Sequence, residues 1–173
     1  MTFLLSVTAA SASECLDAIN KYRGMGGKSD VAACADQYQQ MAQQSAAYDI
    51  DNGNHASLNH FFTQLCPKPG PSGGSIDQNE GPPHTGQTCT WDDVVACWYY
   101  EGTSYSNECC KVASTTQHKD QLLADHVCAA CGFATEGSKW MYTATFCNSN
   151  SKSPEIGGRG AHAFIGGDVN VQV

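Results

Sequence analysis

Basic residues are scarce in this sequence of 173 residues. It holds 9 Lys and Arg against 17 Asp and Glu, which gives a formal net charge of -8. Nucleic-acid binding depends on clustered Lys and Arg side chains that neutralise phosphates, and attraction to an anionic membrane surface depends on the same side chains. The composition therefore argues against a nucleic-acid partner and against binding to a membrane surface.

Long apolar runs and several familiar catalytic motifs are also missing. No stretch approaches the roughly 20 apolar residues that a transmembrane segment needs. The sequence contains no Gly-x-Ser-x-Gly, no His-Glu-x-x-His and no phosphate-binding loop with Gly-Lys-Ser/Thr. Hydrophobic residues nevertheless make up 41% of the chain, which is enough for one packed domain.

Cysteine, in contrast, is abundant. An even number of cysteines, well above ordinary usage, predicts five structural disulfides in an oxidising compartment. The alternative is a zinc site or a redox pair, because Cys128 and Cys131 have the CxxC spacing, although no second such pair accompanies them. The sequence does not determine which cysteines pair. The ten are Cys15, Cys34, Cys66, Cys89, Cys97, Cys109, Cys110, Cys128, Cys131 and Cys147.

The first residues are typical of a secretory signal. Residues 1–12 contain a short apolar run that ends in the small-residue box Ala10-Ser11-Ala12. No Lys or Arg precedes the run, so an ordinary N-terminal segment is the alternative. We expect a signal peptide over residues 1–12 and a secreted protein.

Apolar spacing predicts two helices in the first third of the chain, one over residues 15–23 and one that follows Asp30 and ends in the turn at residues 51–54. The inward positions predicted for the second helix are Cys34, Tyr38, Met41, Ser45 and Tyr48. The glutamines predicted to face solvent are Gln37, Gln40 and Gln44. Residues 66–89 hold five of the six prolines and predict a long loop, pinned by the cysteine at each end.

A third helix is predicted to begin at Thr90, which can cap the helix amides together with Asp93. Trp91 and Trp98 lie on its apolar stripe, and the same spacing continues to Glu101. This carboxylate is therefore predicted to point inward, where it needs a partner. The alternative is that Glu101 ends the helix at the surface.

The last part of the chain predicts a hairpin. Residues 118–127 have the spacing of a short helix, whereas residues 127–134 and 140–147 have the patterns of strands, with Gly137 in the link between them. Helices that come first and a hairpin that comes last favour an α+β layered domain over a helical bundle.

Several short motifs follow one another in a familiar order: Trp98-Tyr99-Tyr100-Glu101, His118-x-x-Gln121, Ala130-Cys131-Gly132-Phe133-Ala134 and Cys147-Asn148. In these motifs the sequence resembles the CAP superfamily, which contains the cysteine-rich secretory proteins, antigen five and the pathogenesis-related group one proteins, and whose domain is also called the SCP domain. His55-Ala56-Ser57 is similar to the family's His-Ser motif, and Glu80 falls where its Gly-Glu-Asn would lie. The resemblance covers residues 15–150.

The residues next to Glu80 and His118 differ from the family pattern. Asn79 and Gly81 flank Glu80 in place of Gly and Asn, and Gln117 replaces the glycine before His118. These changes concern the mouth of the expected cleft more than the cleft residues themselves.

The resemblance implies a three-layer α-β-α sandwich stapled by disulfides over residues 13–150, followed by a Gly- and Asn-rich tail over residues 151–173. Four residues are expected to converge in one central cleft: His55, Glu80, Glu101 and His118. Trp98 and Gln121 are expected to support them. Two imidazoles with one or two carboxylates suit a divalent metal such as Zn²⁺ and leave a coordination position for water or a ligand. A metal-free polar cluster that holds the cleft together is the alternative.

Three functions are compatible with this expectation. The first, implied by the resemblance, is a secreted binding protein for an apolar small molecule such as a sterol or fatty acid, or for an extracellular protein partner, with weak metal binding in the cleft. The second is a structural component of an extracellular assembly. The third is a metal-dependent hydrolase in which Glu80 or Glu101 activates water, and it is the least favoured because it needs a base distinct from the metal ligands.

Overall fold

The computed structural model describes residues 9–53, 55–66, 76–85, 89–110 and 115–148, with the backbone alone for residues 9–11 and 76–85. The helices are α1 (Ala9–Met25), α2 (Asp36–Asn52), α3 (Ala56–His60), α4 (Trp91–Tyr99) and α5 (Gln117–Leu122), and a 3-10 turn covers Phe62–Gln64. The strands are β1 (Ala32–Ala33), β2 (Ile76–Thr85), β3 (Cys128–Glu136) and β4 (Lys139–Cys147). Most of the expected signal segment and the whole of the expected tail lie outside the described residues.

One sheet organises these elements, with the strand order β1-β3-β4-β2. β3 and β4 form the predicted antiparallel hairpin, β2 adds antiparallel to β4, and β1 pairs parallel with β3. At the hairpin turn Gly137 has a φ of 59°, a left-handed conformation that glycine adopts without steric cost. The predicted hairpin is confirmed.

Helices cover both faces of the sheet. On one face, which we call the α1 face, Ala129 of β3 and Tyr142 of β4 belong to a core cluster shared with α1 and α4. On the other, the α2 face, Ala130, Ala134 and Met141 pack in clusters that include residues of α2. Side chains of a strand alternate between the two faces, so one sheet serves two cores. The domain is an α+β fold in three layers, α-β-α, as predicted.

On the α2 face, the helix backbone comes very close to the sheet at Gly132. A Cβ atom built on Gly132 would lie 2.0 Å from the carbonyl oxygen of Ala42. Beside Gly132, Oε1 of Gln39 accepts a hydrogen bond from the backbone N of Cys131 at 2.9 Å. Oε1 of Gln43 accepts one from the backbone N of Phe133, also at 2.9 Å. α2 is therefore fastened to the backbone of β3 as well as to its side chains.

The prediction for the inward face of α2 is correct only in part: Ser45 is buried, and so is Cys34, which lies just before the helix. The buried residues of α2 are Ala42, Ser45, Ala46, Asp49 and Ile50. Tyr38 and Met41 are only half-buried. Small residues face the sheet because the helix backbone lies so close to it. A prediction that looks for bulky apolar residues therefore selects the stripe of α2 next to the buried one.

The start of α2 also differs from the prediction, because the helix begins at Asp36 and β1 intervenes after Asp30. The predicted solvent-facing positions are correct, since Gln37, Gln40 and Gln44 are all exposed.

The predicted long loop is wrong over residues 76–85, which form β2. Proline cannot donate a hydrogen bond to a neighbouring strand, but it is tolerated at sheet edges and bulges. β2 is an edge strand, and its register with β4 shifts between Gly81 and His84, where Pro82 and Pro83 lie. The remaining residues of the predicted loop, 67–75 and 86–88, lie outside the described residues.

All ten cysteines are paired, so the prediction of five disulfides is confirmed. The bonds are Cys15–Cys131, Cys34–Cys128, Cys66–Cys147, Cys89–Cys109 and Cys97–Cys110. Cys128 and Cys131, the CxxC pair, bond to two different segments, which excludes the alternative of a redox pair between them. Five disulfides in one domain are typical of an oxidising environment.

None of the helices in the described part of the chain has the length and apolar character to cross a lipid bilayer.

Candidate functional site

Helix α4 delivers Glu101 to the interior. The helix starts with the predicted capping box, in which Thr90 Oγ1 accepts from the backbone N of Asp93 at 3.2 Å and the Asp93 carboxylate accepts from the backbone N of Thr90 at 3.1 Å. Trp91 and Trp98 anchor it in the α1-face core. Glu101 follows the end of the helix and is 8% exposed, so its predicted burial is confirmed.

The buried carboxylate of Glu101 contacts α5. Its Oε1 lies 2.5 Å from Nδ1 of His118, and its Oε2 accepts from the backbone N of His118 at 2.6 Å and from that of Lys119 at 3.3 Å. One carboxylate thus caps the first turn of α5 and also holds the imidazole of the second residue in that helix.

The other end of α5 is held by Arg23, a buried cation from α1. Its Nη1 donates to the carbonyl oxygens of Leu122 at 2.6 Å and Ala124 at 2.8 Å. A helix of six residues is too short to be stable on its own. An anion at its amide end and a cation at its carbonyl end match the helix dipole. The position of His118 is therefore set by tertiary contacts at both ends of α5.

His55 is placed by a turn after α2. It precedes α3 with a φ of 61°, in the left-handed region. The carboxylate of Asp49, which is fully buried, accepts from the backbone N of Ser57 at 2.6 Å and from its Oγ at 2.5 Å. The backbone N of Gly53 bonds to the carbonyl oxygen of Asp49 at 2.9 Å. Asp49 therefore fixes both sides of the turn that carries His55.

Three of the four predicted cleft residues have described side chains, and the structure brings them together. The ring centroids of His55 and His118 are 6.3 Å apart, with 26° between the ring planes. Glu80, the fourth, lies by its backbone in β2 opposite Thr143, and β2 is in contact with α5.

The two predicted supporting residues are also nearby. The ring of Trp98 lies 6.3 Å from that of His118, centroid to centroid. Gln121 follows His118 by three residues on α5, and its carbonyl oxygen bonds with Nε2 of His126 at 2.6 Å.

The contact between Glu101 and His118 determines what this site can do. When Nδ1 of an imidazole donates to a carboxylate, the ring is held in one orientation and its lone pair is placed at Nε2. Metal-ligating histidines commonly have such a carboxylate behind them. His55 supplies a second imidazole, with its ring centroid 6.3 Å from that of His118.

Three cysteines elsewhere in the fold also lie close enough together to be considered as metal ligands. Among the described side chains, the sulfur atoms of Cys34, Cys128 and Cys147 all lie within 4.8 Å of one another. Each belongs to a disulfide, and a disulfide sulfur lacks the negative charge of a thiolate ligand. This cluster therefore offers at most a weak metal site.

Two residues that shape the site, Arg23 and Asp49, were not predicted from the sequence, and Ser57 was named only as part of the His55-Ala56-Ser57 motif. The bonds of Arg23 reach 99 and 101 residues along the chain, so no local pattern indicates them. The burial of Asp49 could have been predicted from helical spacing, because Asp49 lies on the same face of α2 as Ala42 and Ala46.

No protein-family model matches this chain, and no curated protein matches it. Its function is therefore inferred from its own motifs and geometry.

Proposed function

We propose that this chain is a secreted CAP-type binding protein, with a cleft that binds a divalent metal ion weakly. The observation that carries the proposal is the buried contact of Glu101 with His118, together with the ring of His55 at 6.3 Å. The three-layer α-β-α order and the five disulfides agree with the fold that the CAP resemblance implies.

In the proposed site, His55 and Nε2 of His118 are metal ligands, and the CAP resemblance implies Glu80 as a further ligand. Glu101 orients His118, because its two oxygens contact Nδ1 and the backbone N of that residue. The bound ion would supply positive charge for the polar end of a ligand in the cleft.

The spacing of the two imidazoles supports weak, conditional binding. Two imidazoles on one tetrahedral Zn²⁺ ion, at Zn–N distances of about 2 Å, have ring centroids about 5 Å apart. The observed separation is 6.3 Å, so the rings must approach each other by roughly 1 Å. The imidazoles have to move, and the free energy of that movement lowers the affinity.

The organic ligand that we propose is a sterol or a fatty acid, the class implied by the CAP resemblance. Tyr99, Tyr100 and Tyr105, close to Glu101 in the sequence, are half-buried. The ring centroid of Tyr100 lies 5.0 Å from that of Tyr99 and 4.6 Å from that of Tyr105. Aromatic rings with a polar end suit a ligand that is mostly apolar and carries one polar group.

The metal site is tested by titrating Zn²⁺ into the purified, oxidised protein and following the imidazole resonances by NMR. We expect His55→Ala and His118→Ala each to weaken Zn²⁺ binding by at least tenfold. His60→Ala is the matched control, because His60 is an exposed histidine on α3 that stacks on Tyr48. An equal loss in the control, or no Zn²⁺ binding at millimolar concentrations, would overturn the metal site.

The role of Glu101 has a separate test. Glu101→Gln keeps the shape of the side chain but weakens the bond to Nδ1, and such partners of metal-bound histidines contribute about 10- to 100-fold in affinity. We expect a loss of about tenfold with both histidine resonances still responding to Zn²⁺. An unchanged affinity would show that Glu101 only caps α5.

The organic ligand is tested with cholesterol and palmitate as probes, each titrated against the purified protein. Saturable binding of one probe supports the proposal. A lack of binding to both, together with a large oligomer in size-exclusion chromatography, would favour a structural component of an extracellular assembly.

A further inference from the structure

Two of the five disulfides are in contact with each other inside the α2 face. Cys34–Cys128 joins the segment after β1 to the first residue of β3, and Cys66–Cys147 joins the segment after the 3-10 turn to the last residue of β4. The sulfur of Cys147 lies 3.7 Å from that of Cys34. Sulfur atoms of two separate disulfides are therefore neighbours.

The backbone permits other pairings within this group. Cys128 and Cys147 face each other directly in the register of β3 and β4. Directly opposed residues of an antiparallel pair have Cα atoms about 4.5–5.5 Å apart, which is within the range of a disulfide. The sulfurs of Cys34, Cys128 and Cys147 also lie within 4.8 Å of one another. The three sulfurs are therefore close enough for one to attack another.

One member of the group borders the surface. A groove of about 400 Å³ between α2 and the 3-10 turn has Cys66 in its lining, with Tyr38 and Met41 from α2. No charged side chain is among the residues that line it. Cys66 is 4% exposed and Cys147 is 2% exposed, so the groove that Cys66 lines is the side from which a small thiol approaches this buried bond.

We propose that these two disulfides form a thiol-exchange site, with a low-molecular-weight thiol as its substrate and Cys66 as the residue it modifies. The incoming thiolate attacks the sulfur of Cys66, a mixed disulfide forms there, and Cys147 leaves as a thiolate. The Cys147 thiolate then attacks Cys34, the Cys34–Cys147 bond forms, and Cys128 leaves as a thiolate. Each step makes one S–S bond and breaks one, so no oxidant or reductant is consumed.

The second step preserves a link to β4 when the first bond opens. The carboxyl end of β4 is at first tied to Cys66, and after exchange it is tied to Cys34, which still lies beside β3. The attacking and attacked sulfurs are already in contact, so the step is intramolecular and fast compared with attack by a second external thiol. The site can thus accept a thiol at Cys66 without releasing β4.

The variant Cys66→Ser tests the exchange without any added thiol. It leaves Cys34, Cys128 and Cys147 to share one disulfide and one thiol. We expect alkylation at pH 8, followed by acid quenching and peptide mapping, to find the free thiol on Cys34 or Cys128 as well as on Cys147. Cys15→Ser is the matched control, because it frees Cys131, which is not in the sulfur cluster. In that variant, alkylation is expected at Cys131 alone.

Alkylation of Cys66→Ser at Cys147 alone would overturn the proposal. The wild-type protein provides a second measurement that does not depend on the folding of a variant. With a limiting amount of reduced glutathione, we expect the glutathione adduct on Cys66 and a free thiol on Cys128 or Cys34. An adduct on any other cysteine, no adduct at all, or a free thiol that stays on Cys147 would each contradict the proposed site.

Discussion

The two faces of the sheet are held by different kinds of contact. On the α2 face, the helix backbone touches β3 at Gly132, and glutamine side chains bond to the strand. On the α1 face, aromatic rings fill the space, as where Tyr142 packs 4.8 Å from Trp91 and 5.2 Å from Trp140 between centroids. Contact between backbones leaves no room for added atoms, whereas packed side chains can adjust.

The candidate site draws on both layers. His55 comes from the turn that follows α2, whereas Glu101 and His118 come from α4 and α5 on the opposite layer. A change on the α2 face should therefore reach the site through His55, and a change on the α1 face through His118. The predictions below test this division, from the largest expected effect to the smallest.

Gly132→Ala tests the closest approach between α2 and β3. Its Cβ would lie 2.0 Å from the carbonyl oxygen of Ala42, a backbone atom that cannot move without moving the helix. We expect a loss of about 3 kcal/mol in the free energy of unfolding, measured by denaturant titration with the disulfides intact. Gly24→Ala is the control, because nothing lies within 4 Å of its Cβ position on α1, and it should gain about 0.5 kcal/mol. Equal effects at the two glycines would contradict the close contact.

Asp49→Ala tests how the α2 layer positions His55. It removes two hydrogen bonds to Ser57 and leaves a buried backbone N–H without its acceptor. We expect a loss of about 2 kcal/mol in unfolding free energy, with a shift of the His55 ring resonances and little change at His118.

The control for Asp49 is Ser57→Ala, which removes the hydroxyl bond and keeps the bond from the backbone N. It should lose about 1 kcal/mol and move the His55 resonances less. Equal shifts of His55 and His118 in the Asp49 variant would show that the two layers do not act separately.

Tyr142→Phe tests the α1 face, where the Tyr142 hydroxyl donates to the carbonyl oxygen of Cys89. The variant should lose about 1 kcal/mol at neutral pH. Burial, with smaller contributions from Asp93 and Glu14, raises the pKa of Tyr142 to about 12, from an ordinary value of 10.0. A raised pKa in the folded state means that this tyrosine stabilises the fold fully below pH 10 and loses that contribution as the pH rises towards 12.

The measurement is the free energy of unfolding of wild type and of Tyr142→Phe between neutral pH and pH 12. The unfolding free energies of wild type and Tyr142→Phe should converge above pH 10 and then cross, because only the wild type has this titration. Parallel curves up to pH 12 would contradict the burial of the hydroxyl.

Glu136→Gln tests the rim of the α2 face and should have the smallest effect. A hydrogen bond with Asp51, and then the charge of Asp51, raise the pKa of Glu136. The raised pKa means that ionisation of Glu136 destabilises the folded protein at neutral pH, and that this penalty disappears as the pH falls below the ordinary value of 4.5. The variant should therefore melt slightly higher than wild type at pH 7 and equally at pH 3.5. Glu108→Gln, an exposed carboxylate outside the sheet, should show no such difference.

Much of the local structure followed from the sequence. The capping box of α4, the β3–β4 hairpin and the burial of Glu101 each depend on residues within a few positions of one another, so a local pattern was sufficient. β2 was missed because its prolines indicated a loop, and only its place at the sheet edge explains why they are tolerated. Apart from Ser45, the small-residue face of α2 was missed because its cause, the approach to Gly132, lies about 90 residues away along the chain.

By itself, the sequence determined the acidic charge, the number of cysteines, the existence of most helices and strands, and the residues expected in the cleft. Tertiary structure decided which cysteines are bonded, which face of α2 is buried, and how Arg23 and Glu101 hold the two ends of α5. It also decided that the two imidazoles lie 6.3 Å apart. The division has a physical reason, because caps and strand alternation depend on neighbouring residues, whereas disulfides, buried ion contacts and close helix-to-sheet packing depend on residues that only folding brings together.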